Sequence, residues 1–276
     1  MISIENLAFS YGRKEVLRNI NLELEKGRIY GLLGENGVGK TTLLTLLAGL
    51  KKPQEGSILA DGEKPFDRHP SFLESICYLP DTVPAIPMKA ADFAATSAVF
   101  RSKFDMDKFF SLMKDLDVDA QMKMNDMSAG QLKKTYISFA LACNADYLLM
   151  DEPTNGLDIP SKTQLRSAIT RYTPEDSTLV ISTHQVRDLE NIIDPIIILD
   201  SREVLLNASI EEISSRLYFD YGTTLNPDAF YCEKLPGGYI QVYPNTTGED
   251  SKVNIEALFN TVLSHKEDIS KMFKSR

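Results

Sequence analysis

GENGVGKT, at residues 34–41, decides how the surrounding chain folds. Its glycines, lysine and threonine have the spacing of a phosphate-binding loop, G-x-x-x-x-G-K-[ST]. Glycine lets successive backbone N–H groups converge on a phosphate, and the start of the following helix adds a favourable dipole. In such a loop Lys40 reaches the β and γ phosphates, and the Thr41 hydroxyl is a ligand of Mg²⁺. The stretch therefore predicts a site for a nucleotide and its magnesium ion.

The phosphate loop is flanked by the two elements that its mechanism needs. RIYGLLG at residues 28–34 is a nearly unbroken apolar run, as in a strand buried on both faces. TTLLTLLAGL at residues 41–50 has a helical pattern, with Gly49 near its end. We predict nucleotide contacts from Gly34, Glu35, Asn36, Gly37, Val38, Gly39, Lys40, Thr41 and Thr42.

Other strands predict the class of the fold. DYLLMD at residues 146–151 and STLVIST at residues 177–183 are buried-strand candidates, and each precedes a helical pattern. This alternation indicates an α/β fold whose parallel sheet binds ligands at the carboxyl ends of its strands. ISIENLAFSY at residues 2–11 and NINLELE at residues 19–25 alternate instead, so they predict half-buried strands of an N-terminal antiparallel subdomain.

Two segments differ from this body. Between residues 87 and 125 the pattern is helical, which predicts an inserted helical subdomain at about residues 85–143. After Leu217 the pattern changes again, with a hairpin-like element near Gly237 and a helical stretch at residues 253–263. We therefore expect a nucleotide-binding domain at residues 1–217 and a small C-terminal appendage of unknown role at residues 218–276.

Composition narrows the classes of function. The chain has 276 residues, of which 43% are hydrophobic and 25% charged, as in globular proteins. Its net charge of −9 disfavours nucleic acid as the main partner, because phosphate binding needs clustered cations. Three cysteines lie far apart, which fits reduced thiols in a cytosol. With no secretory signal and no apolar run of about 18 residues, we expect that the chain does not itself cross a membrane.

Carboxylates that could act on a bound nucleotide follow one of the buried strands. In LLMDEP, residues 148–153, Asp151 ends the strand where it can meet the magnesium ion. Glu152 is next and could polarise the attacking water, a role worth about 10²- to 10⁴-fold in rate. His184 follows STLVIST at the same sheet edge, where it could contact the γ-phosphate. The alternatives are a solvated acidic pair and a structural histidine.

The order and spacing of these motifs resemble those of ATP-binding cassette (ABC) ATPases, from Met1 to about Leu217. GENGVGKT resembles the Walker A loop of that family, and LLMDEP its Walker B strand. By that resemblance Glu152 is the catalytic glutamate, His184 the switch histidine and Asp158, in NGLD, the D-loop aspartate. Tyr11 matches the aromatic residue that stacks on adenine, although a core tyrosine is the alternative.

The family's signature, usually Leu-Ser-Gly-Gly-Gln, is similar to DMSAGQ at residues 126–131. Its residues here are Ser128, Ala129, Gly130 and Gln131. Ala129 replaces a glycine, while Ser128 and Gln131 also have the spacing of a capping box at a helix start. A second departure lies in ICYLPDTVP, where Asp81 aligns with the family's Q-loop glutamine. Asp81 could meet a magnesium-bound water, or could be a turn residue after Pro80.

The resemblance implies ATP and Mg²⁺ as cofactors and a head-to-tail pair of cassettes, each phosphate loop facing the partner's signature. With one loop and one signature, the chain is expected to form a homodimer. It further implies the ATP-hydrolysing subunit of a transporter, cytoplasmic and peripheral on the inner face of the cell membrane, bound to a separate permease.

The kind of transporter and the alternatives remain open from sequence. Bacterial exporters are the favoured class, with importers not excluded. An ABC ATPase acting on ribosomes or DNA is the main alternative. Against it, we find neither a second cassette nor a coiled-coil insertion, and we expect no nucleic-acid partner. A small-molecule kinase would share the loop, but would not explain DMSAGQ or the adjacent Asp151 and Glu152.

Overall fold

Strands and helices alternate along most of the chain in the computed structural model, which describes residues 1–200 and 202–273. The strands are β1 (Ile2–Tyr11), β2 (Lys14–Leu24), β3 (Ile29–Leu33), β4 (Glu55–Ala60), β5 (Ile76–Leu79), β6 (Tyr147–Asp151), β7 (Thr178–Thr183), β8 (Ile196–Asp200), β9 (Glu203–Ala208), β10 (Leu217–Gly222), β11 (Tyr231–Leu235) and β12 (Gly238–Pro244). The helices are α1 (Lys40–Leu47), α2 (Pro70–Ser75), α3 (Ala90–Ala98), α4 (Met106–Asp115), α5 (Ala129–Ala142), α6 (Ile159–Tyr172), α7 (Ile210–Arg216), α8 (Ile255–Ser264) and α9 (Lys266–Phe273).

The central sheet has the strand order β5-β6-β7-β3-β8-β9. The neighbouring strands from β5 through β6, β7 and β3 to β8 are all parallel, and β9 pairs antiparallel with β8 at one edge. The apolar runs that predicted doubly covered strands are buried throughout β6 and β7. Because parallel strands end on the same edge, the residues after β3, β5, β6 and β7 are brought together there. The predicted α/β fold with a parallel core is confirmed.

A separate antiparallel sheet, in the order β2-β1-β4, covers the N-terminal side. Alternate residues of β1 and β2 are buried, as the period-2 pattern predicted. Their apolar face shares a core with α1, in which Leu43, Leu44 and Leu46 are almost fully buried. This packing holds the start of α1, and with it the phosphate loop, against the sheets.

The segment between β5 and β6 is largely helical, formed by α3, α4 and α5. Asp105 caps the start of helix α4, because its carboxylate accepts a hydrogen bond from the Lys108 amide. Phe109, Leu112 and Met113 form the buried face of α4, at the spacing of an amphipathic helix. The limits of this subdomain, about residues 85–143, stay a prediction.

The C-terminal segment forms an antiparallel sheet with the order β10-β12-β11, followed by α8 and α9. A hairpin joins β11 to β12 where Leu235 pairs with Gly238, and Gly237 has the positive φ of 93° that the turn requires. Arg187, in a turn just after β7, forms an ion pair with Glu256 of α8. The division at residue 217 stays a prediction, and residues 274–276 lie outside the described residues.

Across the two ranges that the structure describes, no helix combines the length and the apolar character needed to span a membrane.

Candidate active site

The phosphate loop joins β3 to α1 in a conformation that needs glycine. Gly37 and Gly39 have φ values of +85° and +117°, in the left-handed region. A Cβ atom on Gly34 would lie 2.5 Å from the carbonyl oxygen of Leu199, so a larger residue cannot fit there. The spacing of the glycines in the sequence is thus explained by backbone angles and close packing.

Lys40 and Thr41 leave the loop in different directions. The Lys40 ammonium donates hydrogen bonds to the carbonyl oxygens of Gly34, at 2.6 Å, and Glu35, at 3.2 Å. It also lies 3.4 Å from the Glu152 carboxylate, and only 6% of its side chain is exposed. The Thr41 hydroxyl donates to Oδ2 of Asp151 at 2.6 Å. The loop and the strand β6 are therefore joined by two polar contacts.

Asp151 is buried beside the hydroxyl of Ser182, a residue for which the sequence motifs predicted no role. The parallel register of β6 and β7 places Ser182 next to Asp151. The Ser182 hydroxyl donates to Oδ1 of Asp151 at 2.5 Å, so each carboxylate oxygen has one hydroxyl donor. The position of Ser182 in STLVIST, two residues before His184, was the available signal for its role.

Glu152 takes a strained backbone conformation, with φ at 47°. Its amide donates to the carbonyl and to the hydroxyl oxygen of Ser182, at 3.1 Å in each case. Its carboxylate lies 2.9 Å from Nδ1 of His184 and accepts a hydrogen bond from the His184 amide at 3.3 Å. The structure thus brings Glu152 into direct contact with His184 and Lys40, the other two predicted catalytic residues.

Asp81, the residue at the predicted Q-loop position, lies in the loop after β5. Its Oδ1 atom accepts a hydrogen bond from the Asn155 amide group at 3.3 Å and lies 3.6 Å from the ammonium of Lys133. Neither Asn155 nor Lys133 was singled out from sequence as a partner of Asp81.

Tyr11 ends β1 at the mouth of the phosphate-loop cleft and is 47% exposed. Its hydroxyl lies 3.4 Å from that of Thr42, and the Phe9 ring packs edge-on against it at 5.1 Å. The ammonium of Lys51 lies 4.9 Å from the centre of the Tyr11 ring. An exposed ring held from behind can offer a face to a flat ligand.

These side chains surround a cleft of about 290 Å³. The cleft is lined by Tyr11, Lys14, Val16, Asn36, Gly37, Gly39, Lys40, Thr41, Thr42, Asp81 and Glu152. Lys14 and Val16 of β2 were not predicted, because they belong to no motif. Val38 is half-buried against the N-terminal core instead. His184 reaches the cleft through its contact with Glu152.

The DMSAGQ segment lines a different cleft. Ser128 caps the start of α5 with the predicted capping box, in which its hydroxyl accepts a hydrogen bond from the Gln131 amide and its own amide donates to the Gln131 side chain. Ser128, Gly130, Gln131 and Asp158 lie around this cleft of about 580 Å³. Ala129 is the first residue of α5 and is exposed. Among the described residues, the walls of the two clefts are different, so one chain does not bring them together.

Asp158 fixes the start of α6. Its carboxylate accepts a hydrogen bond from the Ser161 amide at 2.9 Å. Hydrogen bonds from Ser161 hold the pKa of Asp158 below its usual value. The side chain is therefore a charged cap at pH 7.

The donor set of the first cleft fits a hard cation beside phosphates. The Thr41 hydroxyl and the Asp151 carboxylate are adjacent oxygen donors, which Mg²⁺ prefers, and Mg²⁺ commonly takes few protein ligands. When bound, the ion would neutralise charge on the phosphates. The described residues hold no cluster of three or more His, Cys, Asp or Glu side chains suited to a metal.

Comparison with known proteins places this geometry in context. The family described as "ABC transporter" matches residues 17–155. The cobalt import ATP-binding protein CbiO of Salmonella paratyphi A is 32% identical, over 77% of this chain and 82% of its own length. The lantibiotic transport ATP-binding protein SrtF of Streptococcus pyogenes is 29% identical, over 70% of this chain and 84% of its own.

A solved structure of a bacterial cassette has the same fold. The dimeric structure of MJ0796, a bacterial ABC transporter cassette, is 25% identical, with a TM-score of 0.67 over 76% of this chain and 98% of its own. A second structure of that cassette is a post-hydrolysis dimer with bound ADP and Pi.

Proposed function

Because the chain belongs to the ABC transporter family of ATPases, we propose that it hydrolyses ATP with the phosphate-loop cleft and drives a separate membrane permease. ATP binding follows from membership of the family. The roles of the individual residues, the binding of Mg²⁺ and the coupling to a permease are what we propose.

One observation carries the hydrolytic part of the proposal. The Glu152 carboxylate lies between the Lys40 ammonium, at 3.4 Å, and the His184 imidazole, at 2.9 Å, on the cleft that contains the phosphate loop. Lys40 would bind the β and γ phosphates, and Glu152 would polarise the water that attacks the γ-phosphate. His184 would hold Glu152 and contact the γ-phosphate. Thr41 and Asp151 would hold Mg²⁺, and Tyr11 would stack on adenine.

The position of the second cleft favours the formation of a dimer. Ser128, Gly130 and Gln131 expose a helix start to solvent, away from the chain's own phosphate loop. In a twofold pair, this helix start would contact the γ-phosphate held by the partner. Closure would then depend on the γ-phosphate, since hydrolysis removes the contact made from both sides.

An apolar groove beside the helical segment offers a binding surface for the permease. Val99 and Phe100 follow α3 and are each 80% exposed, and Leu50 is 51% exposed. They line a groove of about 600 Å³ with Leu73 and Tyr78. Large exposed apolar side chains that cluster in this way mark binding surfaces. We propose that a cytoplasmic segment of the permease occupies this groove, which would hold the chain at the inner face of the membrane.

Purification from membranes of the source organism tests the coupling. The expected result is that an integral membrane protein co-purifies with the wild type and is lost from a Val99→Glu, Phe100→Glu variant whose ATPase activity is intact. Tyr221→Glu, Leu225→Glu is the matched control, because those side chains are exposed to 58% and 54% on the C-terminal segment. Recovery with ribosomes or DNA alone would contradict transport and favour the alternative function.

The direction of transport is proposed as export, from the resemblance of DEPTNGLD and the C-terminal helix to subunits of bacterial exporters. The relative CbiO is named for import, so the direction needs its own assay. ATP-dependent movement of a substrate out of cells, lost in a Glu152→Gln variant, is the expected outcome. Uptake lost in the same variant would contradict export.

A further inference from the structure

Lys133 is a buried cation beside the phosphate-loop cleft for which no role has yet been given. It lies on α5, the helix that begins at Ser128, and its side chain is 5% exposed. Its ammonium donates to the carbonyl oxygens of Asp81, at 2.5 Å, and Pro80, at 3.4 Å. The same ammonium is 3.6 Å from the Asp81 carboxylate. Its contacts are thus concentrated on the loop after β5.

The burial of Lys133 makes these contacts important. An ammonium removed from water is costly unless charges and hydrogen bonds replace the lost hydration. Burial lowers the pKa of Lys133, and the negative charges of Asp81, Asp151 and Glu152 oppose that shift. Asp81 opposes the shift most strongly, and its carboxylate lies 3.6 Å from the ammonium, so it is the main counter-ion. Loss of Asp81 would leave the buried Lys133 ammonium without its main counter-ion, whereas the Asp81 side chain is 43% exposed and would stay hydrated after loss of Lys133.

Two further contacts fasten the same loop. The Tyr136 hydroxyl, one turn after Lys133 on α5, donates to the carbonyl oxygen of Pro84 at 2.9 Å. The Asn155 side chain donates to the Asp81 carboxylate at 3.3 Å, and its amide donates to the Glu152 carbonyl at 3.1 Å. The loop is therefore attached to α5 on one side and to the segment after Glu152 on the other.

We propose that the Lys133–Asp81 ion pair fastens the loop after β5 to the helix that begins at Ser128, and that Lys133 is a positioning residue for ATP hydrolysis. Asp81 then serves as the counter-ion of Lys133 rather than as a ligand of Mg²⁺. The inference rests on the proposed function, because it takes the cleft to hydrolyse ATP. It explains how an aspartate can stand at the glutamine position: its charge is matched by a lysine on the facing helix.

A double-mutant cycle on purified full-length protein tests the ion pair. Lys133→Met should lower kcat about tenfold or more, because a small displacement of a catalytic site is costly, while KM for ATP stays within about threefold. Asp81→Asn should lower kcat without raising the Mg²⁺ concentration that gives half the maximal rate. The double variant should be no slower than Lys133→Met alone, since the second change removes a partner already lost.

The matched control is a second ion pair of the same residue types. Lys103 and Asp146 lie 2.6 Å apart, with side chains exposed to 51% and 41%, and line neither cleft described above. Lys103→Met, Asp146→Asn and their double variant should leave kcat within about twofold, because exposed ion pairs contribute little.

Two results would overturn the inference. One is a raised Mg²⁺ requirement in Asp81→Asn together with effects that multiply in the double variant, which would make Asp81 a metal ligand. The other is unchanged amide hydrogen exchange at residues 81–86 in Lys133→Met, where the loop should exchange faster. Exchange can be measured without turnover, so a wild type that hydrolyses no ATP would contradict the proposed function alone. Where Lys133→Met does not fold, Asp81→Asn gives the same exchange test at a half-exposed position.

Discussion

Replacing Ser182 with alanine removes one hydroxyl from the buried carboxylate of Asp151. Asp151 is 1% exposed and Ser182 is fully buried, so water has little access to the Asp151 oxygen that would lose its hydrogen bond. The lost bond is the 2.5 Å contact from the Ser182 hydroxyl to Oδ1. Oδ2 keeps its 2.6 Å bond from Thr41.

The size of the effect follows from these contacts. A hydrogen bond to a charged group contributes about 1.5–3 kcal/mol to stability. The hydroxyl also accepts a bond from the Glu152 amide, but that amide donates to the Ser182 carbonyl as well, so this second loss adds little. We therefore expect Ser182→Ala to lower the free energy of unfolding by about 1.5–3 kcal/mol.

Urea denaturation without nucleotide measures this difference, from the shift of the midpoint at constant slope. Ser138→Ala is the control, because Ser138 is also fully buried but its hydroxyl donates only to the Lys134 carbonyl within α5. It should cost about 1 kcal/mol or less, as expected for a neutral bond. Equal midpoints for Ser182→Ala and wild type, or an equal loss in Ser138→Ala, would refute the reasoning.

Three further outcomes are expected. Tyr11→Ala should weaken ATP binding about tenfold, since stacking on a base contributes about 1–3 kcal/mol, whereas Tyr11→Phe should bind as wild type; equal titrations of a fluorescent ATP analogue would contradict stacking. Ser128→Arg should keep monomer binding of ATP and lose hydrolysis, so reduced affinity in the monomer would mean that Ser128 acts in its own chain. The pKa of Asp158 is lower in the folded than in the unfolded state. Its charged cap therefore contributes stability above the unfolded-state pKa of about 3.9, and this contribution is lost as pH falls through the folded-state pKa. Asp158→Asn should remove this part of the pH dependence of urea midpoints between pH 7 and 3 while keeping the cap, and identical pH profiles would count against it.

The phosphate loop and the strand ends could be predicted because they are local. Residues 34–41 specify a backbone conformation that few other sequences allow, and the apolar run before them predicts a buried strand. Glu152 and His184 could be placed at one sheet edge because parallel strands end together. The contact between them, at 2.9 Å, follows from the position of β7 beside β6.

The partners of those residues could not be predicted in the same way. Ser182 meets Asp151, 31 residues earlier in the sequence, through the register of β7 against β6, and a hydrophobic pattern does not fix which residues pair. Lys133 looks like an ordinary helical lysine, and only the packing of α5 against β5 buries it against Asp81. Both contacts depend on the pairing of distant strands or on the orientation of α5, which the local sequence pattern does not determine.

The separation of the two clefts within one chain makes the protein open to complementation between inactive variants. Lys40→Ala spoils the phosphate loop and leaves the Ser128 surface intact, whereas Ser128→Arg does the reverse. When the two variants are combined in equal amounts and pair at random, half of the dimers contain one copy of each. Each such mixed dimer would hold one undamaged site. About a quarter of wild-type hydrolysis should then return from two preparations that are each inactive.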